Sequence, residues 1–418
     1  MKYVVNGGRK LSGGINISGS KNAVLPILAS TIVTKKKSII HNCPKLSDVA
    51  STIRILQYLG CNVVYDNGTL AVDAKDSCVK DVPCDLMGAL RSSVIFLGAF
   101  IADKGEGNLP FPGGCELGKR PIDIHVDVLR KMGAEIKENE GSLDFKYNKL
   151  KGGEYYLAFP SIGATENIIL ASLAADEDVI IRNAAAEPEI KSLAAFLNRA
   201  GAKISGAGTE RIVIKKEKNF RDCEYTVISD RIETATYMAA AAVTGSTITL
   251  NNAPVDDIKS TVSAFSRAGC EVLIKNNDLT IIAPNRLKAV DMISTAPYPG
   301  FPTDAQPVIT ACLINSKGTS LIAENIFERR FNHVPELRKL GANINVFGNT
   351  LKIKGNIDEM YGGTVVAEDL RAGAALIVAS LGIAEQVIVE DSHHIIRGYE
   401  NIVPKLKALG ADIKIGGC

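Results

Sequence analysis

The residues with the most chemical potential in this 418-residue chain lie in one run, Phe111-Pro112-Gly113-Gly114-Cys115-Glu116-Leu117-Gly118-Lys119-Arg120-Pro121-Ile122-Asp123. It carries a thiol on a glycine-rich loop, close to two cations. Neighbouring cations favour the thiolate, which lowers a cysteine's pKa and raises its reactivity. Gly105, Gly107, Gly113, Gly114 and Gly118, with Pro110 and Pro112, describe an extended segment able to move. A reactive thiol and fixed positive charge on such a loop suggest a lid over an anionic substrate. Gly113-x4-Gly118-Lys119 comes near a phosphate-binding P-loop. However, Arg120 stands where Ser or Thr would hold magnesium, and Pro121 has no N–H to offer a phosphate. On this segment alone a structural turn with an incidental cysteine stays open, because free cysteine often serves as a small hydrophobe.

Other charged residues recur at one kind of place. Lys21, Arg91 and Arg371 occupy the same position of a repeat, where a strand gives way to an apolar helix. Gly163, in Ser161-Ile162-Gly163-Ala164-Thr165, and Asp304, in Phe301-Pro302-Thr303-Asp304, fall within about a residue of it. Were those helices parallel, their free N–H groups and dipoles would face one way and attract phosphates and carboxylates. Lys and Arg would strengthen such a site. Taken singly, Lys21, Arg91 and Arg397 read as solvated surface charges and Asp304 as an N-cap. Recurrence against an apolar background argues for a site.

The elements that must position these groups repeat six times. Leu-Gly-Cys-Asn-Val ends at Val63, Met-Gly-Ala-Glu-Ile at Ile136 and Ala-Gly-Ala-Lys-Ile at Ile204. Ala-Gly-Cys-Glu-Val ends at Val272, Leu-Gly-Ala-Asn-Ile at Ile344 and Leu-Gly-Ala-Asp-Ile at Ile413. The shared glycines Gly60, Gly133, Gly201, Gly269, Gly341 and Gly410 follow one another at 68 to 73 residues, a repeat architecture. Each ends an amphipathic helix and leads into a strand; in the first copy the helix is Asp48 to Leu59, the strand starts near Asn62, and Asp66-Asn67-Gly68 turns a hairpin. A second helix type, around Ala23–Ser30, Ala235–Val243 and Ala372–Ala379, is apolar nearly all round and must be buried on every side.

The sixth copy stops after its strand Asp412-Ile413-Lys414-Ile415. Residues 1–30 align with 351–380, so the N-terminal strands, Lys2-Tyr3-Val4-Val5 and Ile15-Asn16-Ile17-Ser18, are expected to finish that copy. The fold class expected is mixed α/β, with two domains of three units each: 21–229, and 230–418 plus 1–20. The site would lie in the cleft between them.

A net charge of +2 carries no global nucleic-acid signal. The N-terminus lacks a signal-peptide pattern, and the best apolar stretch, Ala372 to Ala384, falls short of the ~20 residues a span requires. No membrane association is expected. Nine scattered cysteines without C-x-x-C, and five histidines, suggest neither a disulfide framework nor a metal; a reducing cytoplasm fits best.

Gly19-Ser20-Lys21-Asn22-Ala23, the Pro112–Asp123 run, Phe301-Pro-Thr-Asp304, Phe327-Glu328-x-Arg330-Phe331, Asp369-Leu370-Arg371 and Arg397-Gly398-Tyr399 together resemble the UDP-N-acetylglucosamine 1-carboxyvinyltransferases. The resemblance covers essentially the whole chain. It implies two inside-out α/β barrels with buried parallel helices, in a bacterial, cytoplasmic enzyme without metal or organic cofactor. It also implies transfer of the enolpyruvyl group of phosphoenolpyruvate (PEP) to the 3′-hydroxyl of UDP-N-acetylglucosamine, by addition and elimination through a tetrahedral ketal. By the same resemblance Lys21, Asn22, Arg120, Arg371 and Arg397 surround PEP. Asn22, Arg91, Arg120, Pro121, Ile122, Asp123, Ile124, Ser161, Ile162, Gly163, Asp304 and Ile326 contact the UDP-sugar. Asp304 resembles the base, and Cys115 the proton donor or PEP-adduct residue that fosfomycin alkylates. The chemistry is coherent, since PEP needs several fixed cations and the addition needs one acid and one base.

Two other readings compete. A shikimate-pathway enolpyruvyl transferase shares PEP and the fold, but the Cys115 loop and Asn22 argue against it. A non-catalytic repeat scaffold is opposed by the charged residues gathered at the unit junctions.

Overall fold

The computed structural model describes residues 1–79, 81–88, 93–110, 122–328 and 330–416. The chain is mixed α/β and divides into two compact units. One comprises the described residues of 19–228; the other comprises Met1–Ser18 with Ser229–Cys418, again over described residues.

Six apolar helices form the centres of these units: α1 (Lys21–Thr34), α2 (Phe96–Lys104), α3 (Ile162–Ser172), α4 (Arg231–Thr244), α5 (Gln306–Leu313) and α6 (Leu370–Gly382). Nearly every residue of each is buried, as a helix without a polar face requires. In the first unit α2 packs on α1 and α3; in the second α4, α5 and α6 all touch one another. The helices within a unit run the same way. Residues at the C-terminal ends of α1, α2 and α3 (Thr34, Ala102 and Leu173) line one cavity, and those of α4, α5 and α6 (Thr244, Asn315 and Gly382) line another. Small side chains permit the close approach. An ideal Cβ on Gly98 of α2 would stand 2.1 Å from the Asn167 carbonyl of α3.

Sheets surround the helices. The amphipathic helices Ser47–Tyr58, Asp123–Lys131, Pro188–Arg199, Lys259–Arg267, His333–Lys339 and Ile402–Ala408 each end before one of the six repeat glycines. All six glycines have positive φ, from 94° to 113°, the left-handed turn that lets the chain leave a helix and enter a strand. A strand follows each glycine, and in five copies a hairpin partner comes next, beginning with Asn62–Asp66 and Thr69–Asp73. In the sixth copy Asp412–Gly416 pairs antiparallel with Lys2–Asn6, as the internal alignment predicts.

The second N-terminal strand departs from that expectation. Gly14–Asn16 does not join the sixth sheet; it lies parallel to Thr247–Asn251, which follows α4. The reason is the passage of the chain between units. Around α3 and α6 the strand entering the helix pairs in parallel with the strand leaving it. At the two passages these partners are exchanged. Gly14–Asn16 enters α1 but pairs with the strand leaving α4, and Cys223–Thr226 enters α4 but pairs with Lys37–His41, which leaves α1. The end of the first passage strand is fixed within its own unit. Ser18 donates its N–H to Glu233 Oε2 at 2.7 Å and its Oγ accepts from Lys405 Nζ at 2.6 Å. Gly19 follows, where an ideal Cβ would fall 1.8 Å from the Asn42 carbonyl.

Candidate active site

The residues singled out by the repeat gather at helix N-termini in each unit. In the unit formed by residues 19–228, Lys21 and Asn22 open α1. Ser20 caps this helix, its Oγ accepting from Ala23 N at 3.3 Å. Lys21 is mostly buried and its Nζ lies 3.3 Å from Asp48 Oδ2. Ser161 caps α3 in the same way, so Ile162 and Gly163 form its first turn. Ile122, Asp123 and Ile124 begin the neighbouring amphipathic helix, with Asp123 exposed.

That helix presents His125 to the first turn of α3. An ideal Cβ on Gly163 would come within 2.9 Å of His125 Cε1, so only glycine fits there with the ring in place. Asn167 is the hub. Its Nδ2 reaches His125 Nδ1 at 2.9 Å, the Gly163 carbonyl at 3.1 Å and the Val94 carbonyl at 3.1 Å, while its Oδ1 accepts from Gly98 N at 2.5 Å. Burial pushes the His125 pKa down to about 4, only partly opposed by Asp123. The imidazole is therefore neutral at pH 7, and Nδ1 is left to accept from Asn167.

In the unit formed by residues 1–18 and 229–418, Asp304 lies in the short turn Thr303–Ala305 that leads into α5, and Arg371 is the second residue of α6. They meet: Arg371 Nη2 and Nε donate to Asp304 Oδ2 at 2.8 and 3.2 Å. The other carboxylate oxygen, Oδ1, accepts from Arg330 Nη2 at 2.6 Å. Both arginines are 5% exposed at the side chain. Arg371 Nη1 also donates to the Tyr399 hydroxyl at 3.2 Å, which lies 2.8 Å from Thr236 Oγ1 of α4. Burial alone would lower the pKa of Arg371, but the Asp304 carboxylate, with Tyr399 and Asp230, more than offsets it, so the guanidinium is held charged. Asp369 caps α6, its Oδ1 accepting from the N–H groups of Arg371 and Ala372 at 2.8 Å each. Arg397 is half-buried in the turn Ile395–Arg397, two residues before Tyr399.

A buried carboxylate organises the loop after Ala323. Glu324 Oε1 accepts from Thr295 Oγ1 and from the N–H groups of Ile326 and Phe327 at 2.9 to 3.1 Å; Oε2 accepts from Thr303 Oγ1 at 2.9 Å. Ile326 is thereby tied to the Asp304 turn. The result is a carboxylate held between two buried guanidinium groups at the start of a helix.

Arg91, Cys115, Arg120 and Pro121 lie outside the described residues. Sequence reasoning assigned no role to Arg330, Tyr399, Thr303, Glu324, His125 or Asn167. Arg330, Tyr399 and Thr303 stand inside the sequence motifs given above, which was the available signal. The other three belong to helix and loop stretches whose patterns look structural.

Comparison with known proteins places this arrangement in a class. The model for EPSP synthase (3-phosphoshikimate 1-carboxyvinyltransferase) matches residues 5–406. A crystal structure of an enolpyruvyl transferase from Streptomyces tendae superposes with a TM-score of 0.90 at 26% identity, over 99% of this chain and 98% of that one. An EPSP synthase from Acinetobacter baumannii gives 0.75 at 16% identity over the full length of both, a likeness of fold. The class is that of EPSP-synthase-type enolpyruvyl transferases. UDP-N-acetylglucosamine 1-carboxyvinyltransferase 2 of Caldanaerobacter subterraneus is 46% identical over 412 residues, 99% of each chain. The enzyme of the same name from Clostridium tetani is 42% identical over 414 residues, again 99% of each. Within the EPSP synthase family, this chain belongs to the UDP-N-acetylglucosamine 1-carboxyvinyltransferases.

Proposed function

We propose that this enzyme transfers the enolpyruvyl group of PEP to the 3′-hydroxyl of UDP-N-acetylglucosamine, releasing phosphate, a step of peptidoglycan precursor synthesis in the bacterial cytoplasm. The observation that carries it is 46% identity, over 99% of both chains, to a protein named for that activity. Asp304 takes the proton of the sugar hydroxyl as its oxygen bonds to C2 of PEP, and Cys115 delivers a proton to the methylene carbon, giving a tetrahedral ketal. Loss of a proton from the new methyl group and departure of phosphate restore the enol ether. Lys21, Asn22, Arg120, Arg371 and Arg397 hold PEP. Asn22, Arg91, Arg120, Pro121, Ile122, Asp123, Ile124, Ser161, Ile162, Gly163, Asp304 and Ile326 hold the UDP-sugar. Among the described residues no cluster of His, Cys, Asp and Glu suits a metal and no helix is long and apolar enough to cross a membrane.

Three supports from physical chemistry accompany this reading. The N-terminal ends of α1 and α6 each set backbone N–H groups beside a cation, Lys21 in one unit and Arg371 in the other, as phosphate and carboxylate recognition requires. The buried helix triads within sheets fit two inside-out α/β barrels, with domains at 21–229 and at 230–418 plus 1–20. The cationic loop around Cys115 suits a thiolate that fosfomycin would alkylate.

The test is phosphate release from PEP with UDP-N-acetylglucosamine and, separately, with shikimate-3-phosphate. Release with the nucleotide sugar alone supports the assignment. Release with shikimate-3-phosphate alone replaces the acceptor, and release with neither removes the enzymatic reading.

A further inference from the structure

We propose that the edge strand Glu271–Lys275 is the contact through which two copies of this chain associate, paired antiparallel about a two-fold axis at Leu273. None of the residues assigned to PEP or to the UDP-sugar lies on this strand.

In all six sheets the strand that follows the repeat glycine is an edge strand. Such an edge presents N–H and C=O groups to any second strand, and charge commonly guards it. Lys137 stands at the middle of Glu135–Asn139, and Lys414 at the middle of Asp412–Gly416. A second copy paired about either would set like charges face to face. Asn62–Asp66, Lys203–Ser205 and Asn343–Phe347, paired about their midpoints, bring no opposite charges together. Glu271–Lys275 differs from all of these. Its middle residue is Leu273, 50% exposed, and Ile274 beside it is exposed to the same degree. Its ends, Glu271 and Lys275, are exposed, and neither makes an ion pair among the described residues. Asp278, opposite Lys275 in the hairpin, instead accepts from Asn252 N at 3.0 Å.

The strand is self-complementary in charge and in hydrogen bonding. Glu271, Leu273 and Lys275 share one face, with Val272 and Ile274 on the other. Antiparallel pairing about Leu273 sets Glu271 against Lys275 of the second copy, and Lys275 against its Glu271. Leu273 meets its own copy between these two ion pairs, and Val272 meets Ile274. Lys275 and Asp278 flank a two-residue turn, Asn276-Asn277, and so exchange both ladder bonds. By alternation the backbone groups of Glu271, Leu273 and Lys275 face the neighbouring strand, while those of Val272 and Ile274 face off the edge. Val272 and Ile274 are the residues that oppose each other across the axis, so the sheet continues from one copy into the next with its ladder intact. One strand edge is a small contact, and the dissociation constant expected is on the order of 10–100 µM.

The experiment is sedimentation equilibrium of the full chain between ~1 and ~300 µM, a range that brackets the expected dissociation constant. The variants are Glu271→Lys, Lys275→Glu and the double reversal Glu271→Lys/Lys275→Glu. The wild type should pass from monomer to dimer across the range. Each single reversal turns both ion pairs into like-charge pairs and should weaken dimerisation at least about 10-fold. The double reversal exchanges the ends of the strand and should bring the dissociation constant back to within about threefold of wild type. An equimolar mixture of the two single variants restores both pairs and should associate where neither variant does alone. A wild type that stays monomeric throughout overturns the proposal. So does a dimer that the single reversals leave unchanged, which locates association on another face. A loss that neither the double reversal nor the mixture repairs also overturns it. Should a reversal disturb folding, seen as an altered far-UV circular dichroism spectrum, Leu273→Lys decides. It copies the middle lysine of the two guarded strands, so loss of the dimer supports the proposal and an unchanged dimer overturns it.

Discussion

Replacing His125 with Gln tests the network behind the first turn of α3. The folded imidazole titrates near 4, against 6.5 for an ordinary histidine. The shift is downward for a base, so its sign is fixed. As pH falls below 6.5 the unfolded chain binds a proton at this position while the folded chain does not until about pH 4. Stability is therefore complete above pH 6.5 and is lost through that window. At pH 5 the unmatched interval is about 1.5 pH units, worth about 2 kcal/mol, or about 30-fold in an opening equilibrium. Protonation would also set an Nδ1–H against the Asn167 amide 2.9 Å away. Gln cannot titrate and removes this dependence. Other groups shift as well: burial takes His333 down to about 4 and raises Glu166 well above the carboxylate range. The comparison of wild type with variant cancels them. Hydrogen exchange of peptides covering Ile162–Ser172 reads the local opening, corrected for the intrinsic pH dependence of exchange. Between pH 7.5 and 5 the wild type should lose about 30-fold more protection than His125→Gln. Equal losses would refute a buried, neutral His125 holding this helix.

Cys115→Ser should abolish the mass shift on incubation with fosfomycin and greatly slow turnover; an unchanged mass shift would sink the role given to that thiol. Asp304→Asn should lower kcat by about 100-fold or more while PEP still binds, since a base acts in the chemical step. Freeing Arg371 from its carboxylate partner even predicts tighter PEP binding, and a large rise in the PEP dissociation constant with kcat preserved counts against it. Gly98→Ala should destabilise the protein by about 3 kcal/mol. The new methyl meets rigid backbone 2.1 Å away, which outweighs the ~1 kcal/mol helix-propensity gain, and a thermal midpoint at or above wild type would contradict it.

Much of the fold was legible because its signals are local. The repeat glycines stand out because a helix that turns directly into a strand needs a left-handed residue, and all six supply one. The apolar helices identify themselves because a segment without a polar face has only the interior to occupy. Lys2–Asn6 could be matched to the last strand because the internal repeat leaves that copy one partner short. Charged residues at Lys21, Asp304 and Arg371 could be marked for the same reason, as departures from an apolar pattern at a fixed place.

Tertiary structure decided the rest. Nothing in the alternation of Gly14–Asn16 distinguishes its neighbours; it lies beside Thr247–Asn251 because the chain passes between units there. The grip on Asp304 joins partners 26 and 67 residues away. His125 and Asn167, 42 residues apart, look in sequence like ordinary members of two helices and meet only when α3 packs against the helix beginning at Asp123. Residue type and short-range spacing determine where the chain turns and which surfaces it must bury. Which oxygen faces which guanidinium depends on how those buried surfaces pack, and that information is spread over the whole unit.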